Sequence, residues 1–317
     1  MVSYRTFRNS DPPRILELWQ QCATSRGFGL LERCDKLEQL VFSKPYFDRE
    51  GVILAFEDDR LIGYCHAGFG GSQEGHQLDK RHGAICMLMV LPEFRRRGIG
   101  TELLQRGQRY LAERGANVIF CGAVYPVNPF YLGLYGGSEM PGILESSAEM
   151  IAFVEARGYR ATDTCLVHQM DLDPPPTLND PRLPLKRREV EFMVEPWPLS
   201  PNWWHACVYG AVDSLRYEVT RRESNEVIGH AWVWEMDAFH KRFGTIIVGV
   251  SELKMEEAYR NQGFGRLLLA TIQKHLKEQK IGRLEIQTMQ DNEIALRLFT
   301  SLGFKQVDTG RAYRLGS

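Results

Sequence analysis

Residues 90–101 read VLPEFRRRGIGT, and residues 255–266 read MEEAYRNQGFGR. Each stretch follows a largely apolar run and precedes a segment with apolar residues at helical spacing. This order predicts a strand, a turn and an amphipathic helix. The arginine and both glycines of each Arg-x-x-Gly-x-Gly turn stand at one constant offset from their counterparts. The same strand–turn–helix unit therefore occurs twice in the chain.

The repeated turn has the composition of an anion-binding site. The first amides of a helix lack partners within the helix and lie at the positive end of its dipole. Glycines let the preceding backbone approach an anion closely, and arginines at the rim add charged contacts to phosphate. The P-loop lysine is absent, and Leu103 and Leu268 stand where a dinucleotide motif has its third glycine. The pattern favours a pyrophosphate-binding turn of another kind.

The chain of 317 residues is long enough for two domains. A proline-rich stretch begins at residue 173 and continues through Pro184. Because proline fixes φ and lacks an amide donor, we expect this stretch to join neither a helix nor an inner strand. We predict an N-terminal domain over 1–172 with an inserted loop near 128–147, a linker over 173–185, and a C-terminal domain over 186–317.

Hydrophobic periodicity predicts an α/β (α+β) fold with mixed sheets flanked by helices. The predicted strands are 4–7, 51–57, 60–69, 84–90, 118–124, 164–171, 189–194, 215–221, 227–235, 245–253, 283–288 and 304–314. The predicted helices are 12–24, 98–114, 149–157, 265–279 and 292–302.

Charge and cysteine content limit the possible partners. Lys+Arg total 39 and Asp+Glu total 40, a net charge of -1, so no global basic field favours nucleic acid or an anionic membrane. The seven cysteines are dispersed without Cys-x-x-Cys pairs, which is typical of reduced thiols in a cytoplasmic protein. We expect no metal, no nucleic acid and no membrane association, and a monomer or homodimer.

With these motifs the chain resembles the GNAT superfamily of N-acetyltransferases, as a tandem two-domain member. Residues 90–101 are similar to its acetyl-CoA-binding segment, and residues 292–304 are similar to its later helix motif. The resemblance implies a twisted sheet whose fourth and fifth strands splay apart to hold pantetheine. It assigns acetyl-CoA contacts, together with the turns, to Leu88, Met89, Val90, Arg95, Arg96, Arg97, Gly98, Ile99, Gly100, Thr101, Asn128, Met255, Arg260, Asn261, Gln262, Gly263, Phe264, Gly265 and Asn292.

The resemblance also implies direct attack of an amine on the thioester, with no covalent enzyme intermediate. An alkyl amine has a pKa of about 10 and must lose a proton before it attacks. Many relatives place a tyrosine acid in the later helix. The matching positions here are Phe299 and Val154, which cannot donate a proton.

The sequence offers three candidates for the proton transfers. Glu252 lies inside an apolar strand, where a carboxylate needs a reason, and it is the best single candidate for a general base. Tyr125 and Tyr135 follow the fifth strand and are candidates for the acid, with aromatic packing as the competing interpretation. His66 and residues 203–205 are interpreted as structural before functional.

We therefore predict transfer of an acetyl group from acetyl-CoA to a primary amine. The missing tyrosines leave open a non-catalytic acetyl-CoA-binding protein, a sensor or scaffold. An unrelated nucleotide-binding enzyme is a third hypothesis. Which half is active also stays open, with the first half slightly favoured for acetyl-CoA binding.

Overall fold

The computed structural model describes residues 1–173, 181, 183–196 and 198–316. Most of the predicted linker, residues 174–180 and 182, lies outside the described residues. The strands of the described residues are β1 (Val2–Thr6), β2 (Val52–Glu57), β3 (Arg60–Gly71), β4 (Leu78–Val90), β5 (Val118–Cys121), β6 (Ile143–Leu144), β7 (Tyr159–Asp171), β8 (Val190–Pro196), β9 (Ser214–Arg221), β10 (Val227–Glu235), β11 (Ile247–Met255), β12 (Arg283–Met289) and β13 (Lys305–Leu315). The α-helices are α1 (Pro12–Cys22), α2 (Asp35–Leu37), α3 (Ile99–Glu113), α4 (Ala148–Glu155), α5 (Leu183–Glu189), α6 (Trp203–Tyr209), α7 (Asp237–Phe243), α8 (Phe264–Glu278) and α9 (Glu293–Ser301).

The chain forms two compact units that do not follow the chain order. Unit 1 contains residues 1–165, 200–211 and 309–317, and unit 2 contains residues 166–199 and 212–308. Strands β7 and β13 each contribute residues to both units. The predicted domain boundaries, 1–172 and 186–317, were drawn from the repeat in the sequence, and they stay a prediction.

Unit 1 is built on a mixed sheet with the order β1-β2-β3-β4-β5-β13-β7. Strands β4 and β5 are parallel, whereas β3 with β4 and β5 with β13 are antiparallel. Helix α3 packs closely on one face, because Gly107 has no side chain: a Cβ there would approach Ile85 Cδ1 to 2.7 Å. This close packing brings the start of α3 next to the end of β4.

Unit 2 repeats this plan with the order β7-β12-β11-β10-β9-β8. Strands β11 and β12 are parallel, and β10 is antiparallel to both of its neighbours. Helix α8 buries Leu268, Leu269 and Ile272 against Val233 and Val250 of the sheet. The α/β class and the mixed sheets flanked by helices are therefore confirmed.

Helix α6 follows the linker in sequence but belongs to unit 1. The Lys44 ammonium donates hydrogen bonds to the carbonyls of Cys207 (2.6 Å) and Val208 (3.1 Å). The Trp204 amide donates to Gly75 O at 2.9 Å, and the Trp204 side chain is fully buried. These contacts fix α6 within unit 1 and confirm the packing interpretation for Trp204.

One expectation about the linker is wrong at its C-terminal end. Pro184 lies in the first turn of α5, so this proline does join a helix. The reason is that the amide that proline lacks would have no helical partner at that position anyway. The predicted strand at 189–194 begins one residue later, at Val190.

Candidate active site

The two Arg-x-x-Gly-x-Gly turns have the same backbone conformation. In unit 1 the chain leaves a 3-10 turn at Pro92–Phe94 and passes through Arg96 with φ +63° and Gly98 with φ +82°. In unit 2 it passes through Asn261 with φ +58° and Gly263 with φ +89°. The left-handed conformation at the last of these positions favours glycine. The sequence repeat is thus also a repeat of geometry.

Each turn presents helix amides that precede the first bond of the helix ladder. That first bond joins Glu102 N to Gly98 O (3.1 Å) in α3 and Leu267 N to Gly263 O (3.0 Å) in α8. The amides of Ile99, Gly100 and Thr101, and of Phe264, Gly265 and Arg266, come before it and have no acceptor within the helix. Apart from the adjacent residues of the chain, no heavy atom of the described residues lies within 4 Å of a Cβ built on Gly98 or Gly263. Both turns therefore fit an anion of pyrophosphate type.

The arginines of the turns also stabilise the turns themselves. Arg95 Nε donates to Val90 O at 3.1 Å, and Arg260 Nε donates to Met255 O at 3.1 Å. Each arginine thus connects its turn to the end of the preceding strand. Arg95 pairs in addition with Glu149 at 2.6 Å, and Arg97 pairs with Glu57 at 2.7 Å. These arginines therefore have partners within the protein, and their contact with acetyl-CoA stays a prediction.

In both units the two parallel strands separate before they end. The β4–β5 register runs from His82↔Val118 to Ile85↔Cys121, although β4 continues to Val90. The β11–β12 register ends at Val250↔Ile286, although β11 continues to Met255. Residues Leu88, Met89 and Val90 therefore pair with β3 but not with β5. The predicted strand at 118–124 ends early, at Cys121, because the chain diverges from β4 there.

Glu252 lies at the irregularity of β11. The β10–β11 register shifts between His230 and Trp232, and Glu252 has φ +50°, so the strand contains a β-bulge. Although Glu252 is exposed as a residue, the protein around its carboxyl partly desolvates that group and raises its pKa above the ordinary value. The positive charges of Lys254 and Arg216 partly offset this rise. A raised pKa is what a general base near neutral pH needs, and the assignment of Glu252 to that role stays a prediction.

The inserted loop of unit 1 is packed against the sheet and leaves little of its aromatic content exposed. Phe130 and Tyr131 are buried. The Tyr131 hydroxyl lies 2.5 Å from that of Tyr64 and 3.0 Å from His66 Nδ1. The inserted loop therefore fills the face of the sheet over β3.

The tyrosine candidates and Asn128 are placed around this loop. Tyr125 is partly exposed and lies against Tyr209, with ring centroids 6.3 Å apart. The Tyr135 hydroxyl accepts a hydrogen bond from Leu144 N at 3.1 Å. Asn128 is buried, and its Oδ1 accepts a long hydrogen bond from Phe130 N. The structure gives Asn128 a role within the loop, and its contact with acetyl-CoA stays a prediction.

The later helices confirm that the expected tyrosine positions carry no acid. Phe299 in α9 and Val154 in α4 are both buried in the cores. Asn292 is the N-cap of α9, where its Oδ1 accepts a hydrogen bond from Ala295 N at 3.2 Å. Its side chain thus has a structural partner whether or not it also contacts a ligand.

Three side chains near Glu252 were not found from the sequence: Arg216, His230 and Ser251. They lie on three different strands, β9, β10 and β11, and therefore form no motif in the sequence. Only Ser251 could have been noticed in the sequence, because it directly precedes Glu252 inside an apolar run. Among the described residues, no group of His, Cys, Asp and Glu side chains is arranged to hold a metal ion. No helix in these parts of the chain is both long and apolar enough to cross a membrane.

The repeated turn, the strand splay and the mixed sheets together define a fold of the acetyltransferase class. The chain belongs to the acetyltransferase (GNAT) family, whose profile matches residues 13–136 and 183–304.

Comparison with individual proteins agrees with this membership. The chain is 25% identical over 279 residues to a mycothiol acetyltransferase of Amycolatopsis mediterranei, covering 84% of this chain and 85% of that protein. It is similar in fold to a tandem GNAT protein from the clavulanic acid biosynthesis pathway, with a TM-score of 0.70, 12% identity and coverage of 100% and 99%. It also resembles the glucosamine N-acetyltransferase region of a fungal multi-domain β-N-acetylglucosaminidase, with a TM-score of 0.71 and 15% identity. That match covers 99% of this chain and 38% of the fungal one.

Proposed function

We propose that the protein transfers an acetyl group from acetyl-CoA to a primary amine by direct attack, and that the transfer takes place in unit 2. The observation that carries the proposal is the position of Glu252, in a strained bulge beside the β11–β12 splay. A turn with the geometry of an anion site lies at the end of the same strand. In this proposal, the proton acceptor and the phosphate site would therefore lie on one strand.

The residues of unit 2 would hold acetyl-CoA in two segments. The amides at the start of α8, together with the rim residues Asn261 and Gln262, would bind the pyrophosphate. The part of β11 between Val250 and Met255, which no longer pairs with β12, would exchange backbone hydrogen bonds with the pantetheine. When bound, acetyl-CoA supplies an acetyl thioester, whose carbonyl carbon is open to attack. The equivalent residues of unit 1 fit the same groups, so both turns are candidates for binding.

The role proposed for Glu252 is to remove a proton from the ammonium group of the substrate, so that the free amine can attack the thioester carbonyl carbon. A raised pKa brings this carboxylate closer to neutral pH and makes it a better proton acceptor than an ordinary glutamate. Because Phe299 and Val154 replace the expected tyrosines, solvent or a backbone amide would stabilise the departing thiolate. Tyr125 and Tyr135 remain candidates for an acid in unit 1 only.

The two units differ in the space over their sheets, which favours unit 2. In unit 1 the inserted loop buries Phe130 and Tyr131 over Tyr64 and His66. In unit 2 the exposed residues include Glu252 and Lys254. We propose that unit 1 keeps a second acetyl-CoA-shaped cleft, without requiring that it carries out the reaction.

A thiol-release assay with acetyl-CoA over a panel of amines tests this function. The panel includes glucosamine, which the name of the fungal structural relative suggests. Direct binding of acetyl-CoA is measured in parallel. We expect turnover of at least one amine and its loss in Glu252→Gln. Binding without turnover of any amine would support a non-catalytic acetyl-CoA-binding protein instead.

Two matched substitutions identify the turn that binds. Gly263→Asp and Gly263→Asn strain the backbone similarly, because both residues tolerate the left-handed region comparatively well. Only the aspartate adds a negative charge where a phosphate would bind. We expect its Kd for acetyl-CoA to be at least about 10-fold higher than that of the asparagine variant, a difference of about 1.4 kcal/mol. The pair Gly98→Asp and Gly98→Asn asks the same question of unit 1. Equal affinities within both pairs would contradict the assignment of the turns.

A further inference from the structure

One face of the unit 2 sheet carries a polar cluster around Glu252. In the register, Arg216 lies opposite Trp232 and Trp232 opposite Ser251. In the next row, Glu218 lies opposite His230 and His230 opposite Lys254. Residues that lie opposite one another share a face of the sheet. This face is turned away from α8, because the alternate residues Tyr217, Ala231 and Val250 belong to the core beneath that helix.

The charges of this cluster alternate in sign around Glu252. Lys254 and Arg216 are the two cations whose fields act on the Glu252 carboxylate. Arg216 also pairs with Glu218 at 3.0 Å, and the Arg216 side chain keeps 30% of its exposure. The Lys254 side chain is 59% exposed and lies 3.9 Å from Glu256. Burial, together with the charges of Arg216 and Lys254, lowers the pKa of His230, and the charge of Glu256 partly offsets this.

Ser251 adds an independent sign that a ligand binds here. The residue is only 4% exposed. Its Oγ is buried and has no hydrogen-bond partner among the residues that the structure describes. A buried hydroxyl without a partner is unfavourable and uncommon in native proteins. It stands one residue beyond Val250, the last residue of β11 that pairs with β12, and therefore at the point where the splay begins.

We infer that the acceptor of unit 2 is an amine that carries an anionic group a few bonds from its nitrogen. Glu252 would take the amine, while Arg216, Lys254 and the Ser251 hydroxyl would hold the anionic group. A carboxylate and a phosphate both fit this donor set. The inference rests on the proposed function, because it names the substrate class of the same site.

The test compares acceptors that differ only in the anionic group. γ-Aminobutyrate is paired with n-butylamine, and phosphoethanolamine with ethanolamine; the first pair has similar amine pKa values. We expect kcat/KM to be at least about 10-fold higher for the anionic member of one pair or both. The pair that responds distinguishes a carboxylate from a phosphate. Binding of the same compounds to the acetyl-CoA-saturated protein is measured by calorimetry.

Substitutions assign the preference to this cluster. In Lys254→Gln and in Ser251→Ala we expect the ratio of the two kcat/KM values to fall toward one. Ser251→Ala should not destabilise the fold, because it removes a buried hydroxyl that has no partner. Lys277→Gln makes the same change of charge at an exposed position of α8 and should keep the ratio of the native protein.

The outcomes separate this inference from the proposed function. Turnover of amines without a preference for an anionic group overturns the inference and leaves the function standing. Absence of turnover with every amine contradicts the function, and calorimetry then decides the inference alone. Equal binding of γ-aminobutyrate and n-butylamine, and of phosphoethanolamine and ethanolamine, overturns it in that case as well.

Discussion

At the scale of single residues, the backbone conformations around the two clefts indicate what each position must do. Asn261 and Arg96 occupy the same left-handed position in their turns. Asparagine tolerates this region, whereas for an arginine it is unfavourable. Glu252 also has a left-handed backbone conformation, although it lies within strand β11. Glycine would adopt this backbone conformation without strain, so a glutamate kept there indicates that its side chain has a function.

This strain leads to a prediction for Glu252→Gly. The substitution should raise the free energy of unfolding by about 1 kcal/mol, because glycine adopts a positive φ without the steric cost. Acetyl transfer should fall by about 10²–10⁴-fold, because the proton acceptor is gone. Urea denaturation and the thiol-release assay measure the two effects. Glu252→Asn is the control, because asparagine also tolerates this backbone conformation but has no carboxylate. Its activity should fall as far as that of Glu252→Gly. Retained activity would remove Glu252 from the mechanism.

A second prediction at this scale concerns His66 and acid. Burial lowers the pKa of His66 from 6.5 to about 3, so the native protein binds this proton far less readily than the unfolded chain does. Its contribution to stability is therefore complete above pH 6.5 and is lost as the pH falls toward 3. The slope from this group reaches about 1.4 kcal/mol per pH unit.

Chemical denaturation at several pH values measures this slope. His66→Gln keeps a polar side chain beside Tyr131 but does not titrate, so its stability should fall less steeply between about pH 6 and about pH 5. His205, whose pKa burial lowers to about 4, adds a slope of the same sign and is unchanged in both proteins. Equal slopes in the two proteins would show that His66 does not account for the acid sensitivity.

At the scale of elements, the long helices and core strands were predictable because their periodicity is strong. The structure confirms a helix at Pro12–Cys22 and α3 and α8 at the turns, and β10 spans Val227–Glu235 as predicted. Helices α6 and α7 were not predicted. Both are short, and residues 203–209 are mostly aromatic and apolar, which lacks the contrast between two faces that periodicity detects. The bulge at Glu252 depends on the pairing of β10 with β11, which the sequence does not display.

The start of α9 gives a prediction that separates a cap from a ligand contact. Asn292→Ala should lower the free energy of unfolding by about 1 kcal/mol, because the N-cap bond to Ala295 N is lost. Asn292→Asp should leave stability nearly unchanged, since aspartate caps equally well. If Asn292 also binds acetyl-CoA, both variants should raise the Kd. Denaturation and binding titrations distinguish the two roles, and an unaffected Kd in both would leave only the cap.

At the scale of the whole molecule, the repeat in the sequence and the compact units of the fold are not the same division. The sequence predicted two related domains, and the two family matches confirm them. It did not predict that residues 200–211 and 309–317 belong to unit 1. Such membership depends on contacts between residues far apart in the chain, which neither composition nor periodicity records. The two Arg-x-x-Gly-x-Gly turns were predictable because each is a local feature of the sequence. The polar cluster around Glu252 was not predictable, because its residues come from three strands.

The membership of β13 leads to a prediction about folding. In unit 1, β13 lies between β5 and β7, with Tyr313 opposite Cys121. Tyr313 is 0% exposed, and loss of a buried aromatic side chain of this size costs roughly 3–5 kcal/mol. That is a large part of the stability of an ordinary domain. Residues 1–172 alone should therefore lack a cooperative thermal transition. Joining residues 200–211, which contain α6, and residues 305–317 to residue 172 through flexible Gly/Ser linkers should restore cooperativity, whereas the same fusion with Tyr313→Asp should not. A cooperative transition in residues 1–172 alone would show that this part folds without β13.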